Sequence, residues 1–270
     1  MIYLMCAILS SGIISILMKL SKSYITNEMA LLSANYFICI LCSLFFVQDF
    51  HFNNSMYLGI LNGFFYWISF VLFQRSIQTN GMTLSCTFQK LGILVPTLLS
   101  IFIFHEISSC FQIIGICLAI VCIVLLQNMN TKQKVYSISM LVCLLLFNGS
   151  ADAMSKVFEQ VGTNDNLFLV ITFLVAFLFC VISILKSKQR IKRNDLLFGI
   201  LIGIPNYFSA RFLLKSLYVL PSLIVYPCYS VFTIVFVGMI GSLCFKEQLN
   251  KKYVYILMGF MCALILLNVK

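Results

Sequence analysis

Apolar runs of about twenty residues alternate with short polar breaks along the whole chain. A helix needs about 20 apolar residues to cross the roughly 30 Å hydrocarbon core of a bilayer. Cutting at the charged and turn-rich breaks predicts ten spans, at 2–20, 28–47, 56–78, 83–104, 109–127, 137–156, 166–185, 196–217, 222–244 and 252–268. The breaks (SKSYITN, QDFHFNNS, TNGM, HEIS, FKEQLNKK) are too short for a soluble domain. The wettest, KSKQRIKRND at 186–195, reads as a basic loop. The opening MIYLMCAILSSGIISILMK lacks a basic leader and a small-residue cleavage site, so it reads as a retained first span.

Composition agrees. The chain is 61% hydrophobic and 10% charged, with a mean hydropathy of +1.04, whereas a soluble domain carries roughly 25% charged residues. This predicts an all-α polytopic membrane protein. The net charge of +10 lies almost wholly in short segments between the runs. There it orients helices and meets anionic headgroups, so nucleic acid is not expected as a partner. The twelve cysteines are scattered singly, apart from Cys39 and Cys42 deep in one apolar run. Small buried packing residues explain them, and neither a metal nor a cofactor is expected.

The two halves resemble each other. With a shift of 137, Leu4 meets Leu141, Cys6 meets Cys143, Gly12 meets Gly149 and Lys19 meets Lys156. With a shift of 140, GILNGFFYWISFVLFQRS lies on GILIGIPNYFSARFLLKS, and further on FHE (104–106) matches FKE (245–247). Five spans per half is an odd number, so the second half must enter the membrane inverted relative to the first. Inverted repeats that rock about a midplane site are a mark of secondary transporters.

With the repeat in view, the chain resembles the drug/metabolite transporter superfamily, in its ten-span branch of two EamA-type repeats. The carriers are the glycine-spaced third and eighth spans and the glutamates after spans four and nine (Glu106, Glu247), ahead of GICLAIVCIVLL and GFMCALILL. The resemblance implies two EamA-like repeats, 1–129 and 130–270, forming ten transmembrane helices as two inverted five-helix repeats. The first span, ILSSGIISILMKLSKS, is also similar to that of the four-span small multidrug resistance exporters. Those carry an embedded glutamate in this span. The matching residue here is Ser11 and its repeat counterpart Asn148, neither of which ionises. The nearest replacement is Asp152, whose counterpart is Ser15.

Ionisable groups inside spans are costly, and each is a functional candidate. Lys90 lies about 10 Å into its span at 1.5 Å per residue. It either snorkels to the headgroups or lines a cavity. Asp152 shares a helix face with Lys156; otherwise it faces the cavity as a proton or cation site, paired with Arg211 across the bundle. Arg211 has no acid on its own helix and needs one from another span, a ring of carbonyls or an anionic ligand group. Pro205 breaks the helix ladder just before Asn206 and Tyr207, which points to irregular backbone lining a cavity. In the ninth span Tyr229 suits a pocket for ring-bearing ligands, and its repeat region holds Gln89 and Lys90. The substrate-binding candidates are therefore Arg211, Asn206, Tyr207, Tyr229, Lys90 and Gln89, with Asp152 as the coupling-ion candidate.

Basic residues in the loops after odd-numbered spans are Lys19, Lys22, Arg75, Lys132, Lys134, Lys186, Lys188, Arg190, Lys192, Arg193, Lys246, Lys251 and Lys252, against Lys156, Lys215 and Lys270 on the other face. The positive-inside rule puts the odd loops in the cytoplasm and both termini outside. The family resemblance implies termini inside. The function expected is secondary active transport or efflux of a small metabolite, amino acid or amphipathic drug across the plasma (cell inner) membrane, driven by a proton or substrate gradient. A lipid-carrier flippase or an accessory membrane subunit suits the same scaffold. An intramembrane enzyme fits poorly, because the only histidines are His51 and His105 and no HExxH or GxSxG motif occurs. A GxxxxGK[ST] loop for ATP is also missing. On the charge reading, a single cysteine placed in the 186–195 loop reacts in intact cells only with a membrane-permeant thiol reagent. Labelling by an impermeant reagent reverses the orientation.

Overall fold

A computed structural model describes residues 2–47, 56–95, 109–127, 137–161, 165–187, 190–220, 222–246 and 251–267. Among these residues there are ten α-helices: α1 (Ile2–Ser21), α2 (Glu28–Leu44), α3 (Met56–Asn80), α4 (Met82–Lys90), α5 (Cys110–Gln127), α6 (Ile138–Val161), α7 (Asp165–Ser187), α8 (Arg193–Val219), α9 (Ser222–Phe245) and α10 (Lys251–Leu267). Five segments, Ile2–Ser21, Met56–Asn80, Leu167–Ser187, Arg193–Ser216 and Cys228–Phe245, are long and apolar enough to cross a membrane. The protein is thus an all-helical membrane protein.

Most helix ends fall within a turn of the expected ones, and their caps show why. Asn27 accepts the backbone N–H groups of Met29 and Ala30, at 3.0 and 3.1 Å, and so starts α2. Asp195 accepts the N–H of Lys192 at 2.8 Å in the first turn of α8. The turn from α3 into α4 is a single residue, Gly81, at φ 91°, a left-handed conformation that glycine adopts without strain.

Three boundaries differ from the sequence reading. Helix α6 continues to Val161, past the expected end at 156. Helix α4 stops at Lys90 and passes into a 3-10 turn, Leu91–Ile93, while the rest of the fourth expected span lies outside the described residues. Pro205 does not break α8, which runs through it unbroken. One missing N–H removes one ladder bond, and packing on α2 holds the helix on both sides of the gap.

Small residues decide that packing. A Cβ on Gly203 would stand 2.7 Å from the Asn35 carbonyl oxygen and 2.7 Å from Ile38 Cβ. A Cβ on Gly63 would stand 2.6 Å from the Thr172 carbonyl oxygen and 2.7 Å from Val175 Cβ. Gly199 likewise meets the Leu31 carbonyl and Ala34, and Gly59 meets Ile171 and the Phe168 carbonyl. Contact positions rise together along both helices, so α8 runs parallel to α2 and α3 runs parallel to α7.

Other packed helix pairs include α1 with α8, α3 with α6, α2 with α7, α1 with α9, α3 with α4, α4 with α6, α4 with α9, α5 with α10 and α9 with α10. One core joins α1, α2, α3, α4, α6, α7, α8 and α9 around Tyr36, Phe70, Phe73, Phe173 and Tyr207. A second joins α4, α5, α6, α9 and α10 around Leu84, Phe88, Phe260 and Leu264.

One end of the bundle is tied by polar contacts. Lys22 Nζ donates to the Gln78 carbonyl at 2.8 Å, and Arg75 Nε reaches Glu28 at 3.1 Å. Gln74 Nε2 donates to Ser21 Oγ at 3.2 Å. Buried Asp195 accepts Thr26 N–H at 2.8 Å, Asn27 N–H at 3.4 Å and the Thr26 hydroxyl at 3.3 Å. These contacts bring Lys22, Arg75, Lys192 and Arg193 to one face.

Gly203→Ala should lower the melting temperature in detergent, losing about 1–3 kcal/mol by overpacking against backbone in spite of a helix-propensity gain of about 1 kcal/mol. Gly238→Ala, whose Cβ meets only Thr83 at 3.4 Å, should melt at or above the parent. Equal melting of parent and Gly203→Ala contradicts the close approach.

Candidate functional site

Near mid-bilayer, five helices converge on a polar cluster. Ser69 lies eleven residues from the end of α3, Asn148 ten from the start of α6 and Lys90 eight from the start of α4. At a rise of 1.5 Å these are depths of roughly 12–17 Å from the basic face, close to the midplane of a roughly 30 Å core. Asn148 is the organiser. Its Nδ2 donates to Asp152 Oδ2 and to the Gln89 carbonyl, each at 3.0 Å, while its Oδ1 accepts the Ser69 hydroxyl at 3.1 Å. The Gln89 carbonyl is presented where α4 gives way to the 3-10 turn, and that turn is seated on α6 by contact of Gly92 with Gly149.

Lys90 turns inward. Its Nζ sits 3.8 Å from the centroid of the Tyr229 ring, a cation–π contact, and Lys90 follows Gln89, whose carbonyl shares the Asn148 amide with Asp152. The Tyr229 hydroxyl is 3.1 Å from Ser209 Oγ. Seven residues from α3, α4, α6, α8 and α9 thus share one interior, with a cation and a carboxyl group on different helices.

A second chain of hydrogen bonds crosses the centre. Asn206 Nδ2 donates to Asn35 Oδ1 at 3.1 Å, and Asn206 Oδ1 accepts the Tyr66 hydroxyl at 3.1 Å. Tyr36 Oη donates to the Tyr66 carbonyl at 3.3 Å. Asn206 and Asn35 are 1% and 0% exposed, so these bonds replace water that the site excludes. Tyr66 lies one turn before Ser69 on α3, which links this chain to the midplane cluster.

Arg211 stands apart from both. Its guanidinium lies over the Phe46 ring at 3.4 Å, and Nη1 donates to the Tyr207 hydroxyl. Tyr207 in turn stacks on Phe46, centroids 6.1 Å apart. A guanidinium is weakly hydrated and stacks well on aromatic faces, so this cradle can hold it without an acid. Among the described residues Arg211 pairs with no carboxylate. The Asp152–Arg211 pair expected from the sequence is not formed, since Asp152 is held by Asn148 and reached by Lys90 instead. The Lys156 side chain lies outside the description. Lys215, one turn beyond Arg211, sits 5.5 Å from the Tyr3 ring.

Of the sequence candidates, Lys90, Gln89, Asp152 and Tyr229 come together at the midplane. Asn206 joins the crossing chain, and Tyr207 and Arg211 form the separate cradle. Asn148, Asn35, Tyr66, Ser69, Ser209 and Phe46 were not among those candidates. Asn35 interrupts the run LLSANYFICI and Tyr66 is the counterpart of Asn206 in the repeat. Those two signals were available.

The chain matches no protein-family model. It is 27% identical over 270 residues to an uncharacterized protein of Haemophilus influenzae, covering 92% of this chain and 91% of that protein. The match runs nearly end to end in both.

Asn206→Leu removes partners from both Tyr66 and Asn35. It should cost about 1–3 kcal/mol for each group left unpaired, read as a fall in melting temperature, whereas Ser187→Ala at an exposed helix end should melt like the parent. A parent-like Asn206→Leu contradicts the crossing chain.

Proposed function

We propose that the protein is a secondary active transporter of the drug/metabolite transporter type, built from two inverted EamA-like repeats (1–129 and 130–270). It moves a small metabolite, amino acid or amphipathic drug across the plasma membrane by alternating access. The observation that carries this reading is an exchange relation among contacts. Replacing α1–α5 by α6–α10, and the reverse, turns α2–α8 into α7–α3, α1–α8 into α6–α3 and α1–α9 into α6–α4, all of which are packed pairs. The pairs α2–α7, α4–α9 and α5–α10 map onto themselves.

The relation extends to atoms. Gly203 meets Asn35 and Ile38, and its counterpart Gly63 meets Thr172 and Val175, each 137 residues further on. Gly12 meets Phe236 as its counterpart Gly149 meets Val95. Two pairs of counterparts also touch each other. Tyr66 bonds Asn206, 140 residues away, and the rings of Tyr36 and Phe173, 137 apart, are 6.4 Å apart. In a two-fold arrangement only residues beside the axis can touch their own counterparts.

From this geometry we infer mechanical roles. When two such halves trade conformations, an axial contact is kept and an off-axis contact is exchanged for its counterpart. Tyr66–Asn206 acts as a pivot. The grip of Asp195 on Thr26 and Asn27 acts as a latch on the basic face, which opens when that side opens. Asp152 serves as the coupling-ion site, with Lys90, Gln89 and Tyr229 beside it. Arg211, Asn206 and Tyr207 line the substrate path, where an anionic group displaces the guanidinium from Phe46.

A thermal-shift screen of metabolites supplies a ligand, and uptake into proteoliposomes tests the roles. Arg211→Ala should reduce uptake at least tenfold while Lys215→Ala stays active. Asp152→Asn should abolish gradient-driven accumulation yet leave counterflow. If the arginine variant transports like the parent, its role is wrong. Chemical conversion of the ligand without a gradient refutes transport itself.

A further inference from the structure

Away from the polar interior, α9 and α10 enclose a groove of about 440 Å³ that faces the lipid. Its α9 wall is the stripe Ile234, Gly238, Met239, Ser242 and Leu243, and its α10 wall includes Met258. Met239, Leu243 and Met258 are 58%, 75% and 52% exposed. Ser242 is its one hydroxyl. Along α9 the groove runs from residue 234 to residue 243, roughly 14 Å at 1.5 Å per residue, about half of a roughly 30 Å hydrocarbon core. It therefore spans one leaflet.

The end of the groove is marked by charge. Leu243 lies three residues before Lys246, and Val254 two residues after Lys252. Lys246, Lys251 and Lys252 are all exposed. The segment 246–252 carries these three lysines against one acid, Glu247, for a net charge of +2. Lys246 follows the end of α9 with φ 52°, a left-handed C-cap. An apolar trough one leaflet deep thus ends at a cationic collar.

We propose that this groove binds one anionic phospholipid, its acyl chain between α9 and α10 and its phosphate against Lys246, Lys251 and Lys252. The apolar walls alone accept any acyl chain, so the lysines supply the selectivity. Each basic residue near an anionic headgroup contributes about fivefold. The site therefore prefers phosphatidylglycerol to phosphatidylcholine by tenfold or more.

Native mass spectrometry of the full-length protein in detergent, titrated with each lipid, reads this preference. The parent should retain one phosphatidylglycerol with at least tenfold higher affinity than phosphatidylcholine. The triple variant Lys246→Gln, Lys251→Gln, Lys252→Gln should bind both lipids alike. Met258→Trp, which fills the trough but keeps the collar, should lose the retained lipid. Equal affinity for the two lipids in the parent overturns the proposal. So does a triple variant that keeps the preference, which places the lipid at another basic loop. Loss of a dimer in Met258→Trp also overturns it, by making the groove a contact between two copies of the chain.

Discussion

The bundle depends on the close approach of α8 to α2 and of α3 to α7. Inside a bilayer the hydrophobic effect does not drive helices together, so association relies on short-range packing and hydrogen bonds. Both fall away steeply with distance. Gly199 and Gly203 let α8 settle onto the carbonyls of Leu31 and Asn35, and Gly59 and Gly63 do the same for α3 on Phe168 and Thr172. That approach brings Asn206 within reach of Asn35 and Tyr66. It also keeps α8 continuous through Pro205, because the neighbouring turns are held against a partner helix.

The polar groups at depth are then sorted by what each can tolerate. Asp152 carries a carboxyl group and takes a place where an amide donates to it and a lysine lies close. Lys90 rests on a tyrosine face in the same interior. Arg211, with a flat and weakly hydrated cation, is held by two aromatic rings and a hydroxyl at a distance from the acid. Opposite charges therefore do not collapse into one neutral pair. A carboxyl group and a lysine kept apart in one interior, with the arginine in its own cradle, retain groups able to meet a ligand.

Much of the architecture was legible. The helix limits followed from hydropathy and caps, and the glycine spacing marked the close-packed faces of α3 and α8. Legibility ended where side chains from distant helices meet. Phe46 is apolar and ends its run without any mark that it will carry a guanidinium. Asn35 is uncharged, so the cost of burying charge does not flag it. Asp152 and Arg211 looked like partners because their signs are opposite. Sign carries no distance, and Asn148 was the nearer partner. The unbroken course through Pro205 was equally hidden, since a proline's local effect depends on what presses against the helix from outside.

By itself the sequence determined the membrane class, the run of helices, the correspondence of residues 137 to 141 positions apart and the residues that depart from it. Each of these is local, or is a comparison of one local pattern with another. Only the tertiary structure decided which helices are neighbours, that Tyr66 touches its own counterpart Asn206, and that Lys90 rather than Arg211 lies beside Asp152. The physical reason is that helix rotation and neighbour choice are set by a few small residues and by hydrogen bonds between chains of atoms more than a hundred residues apart. A window of hydropathy contains neither.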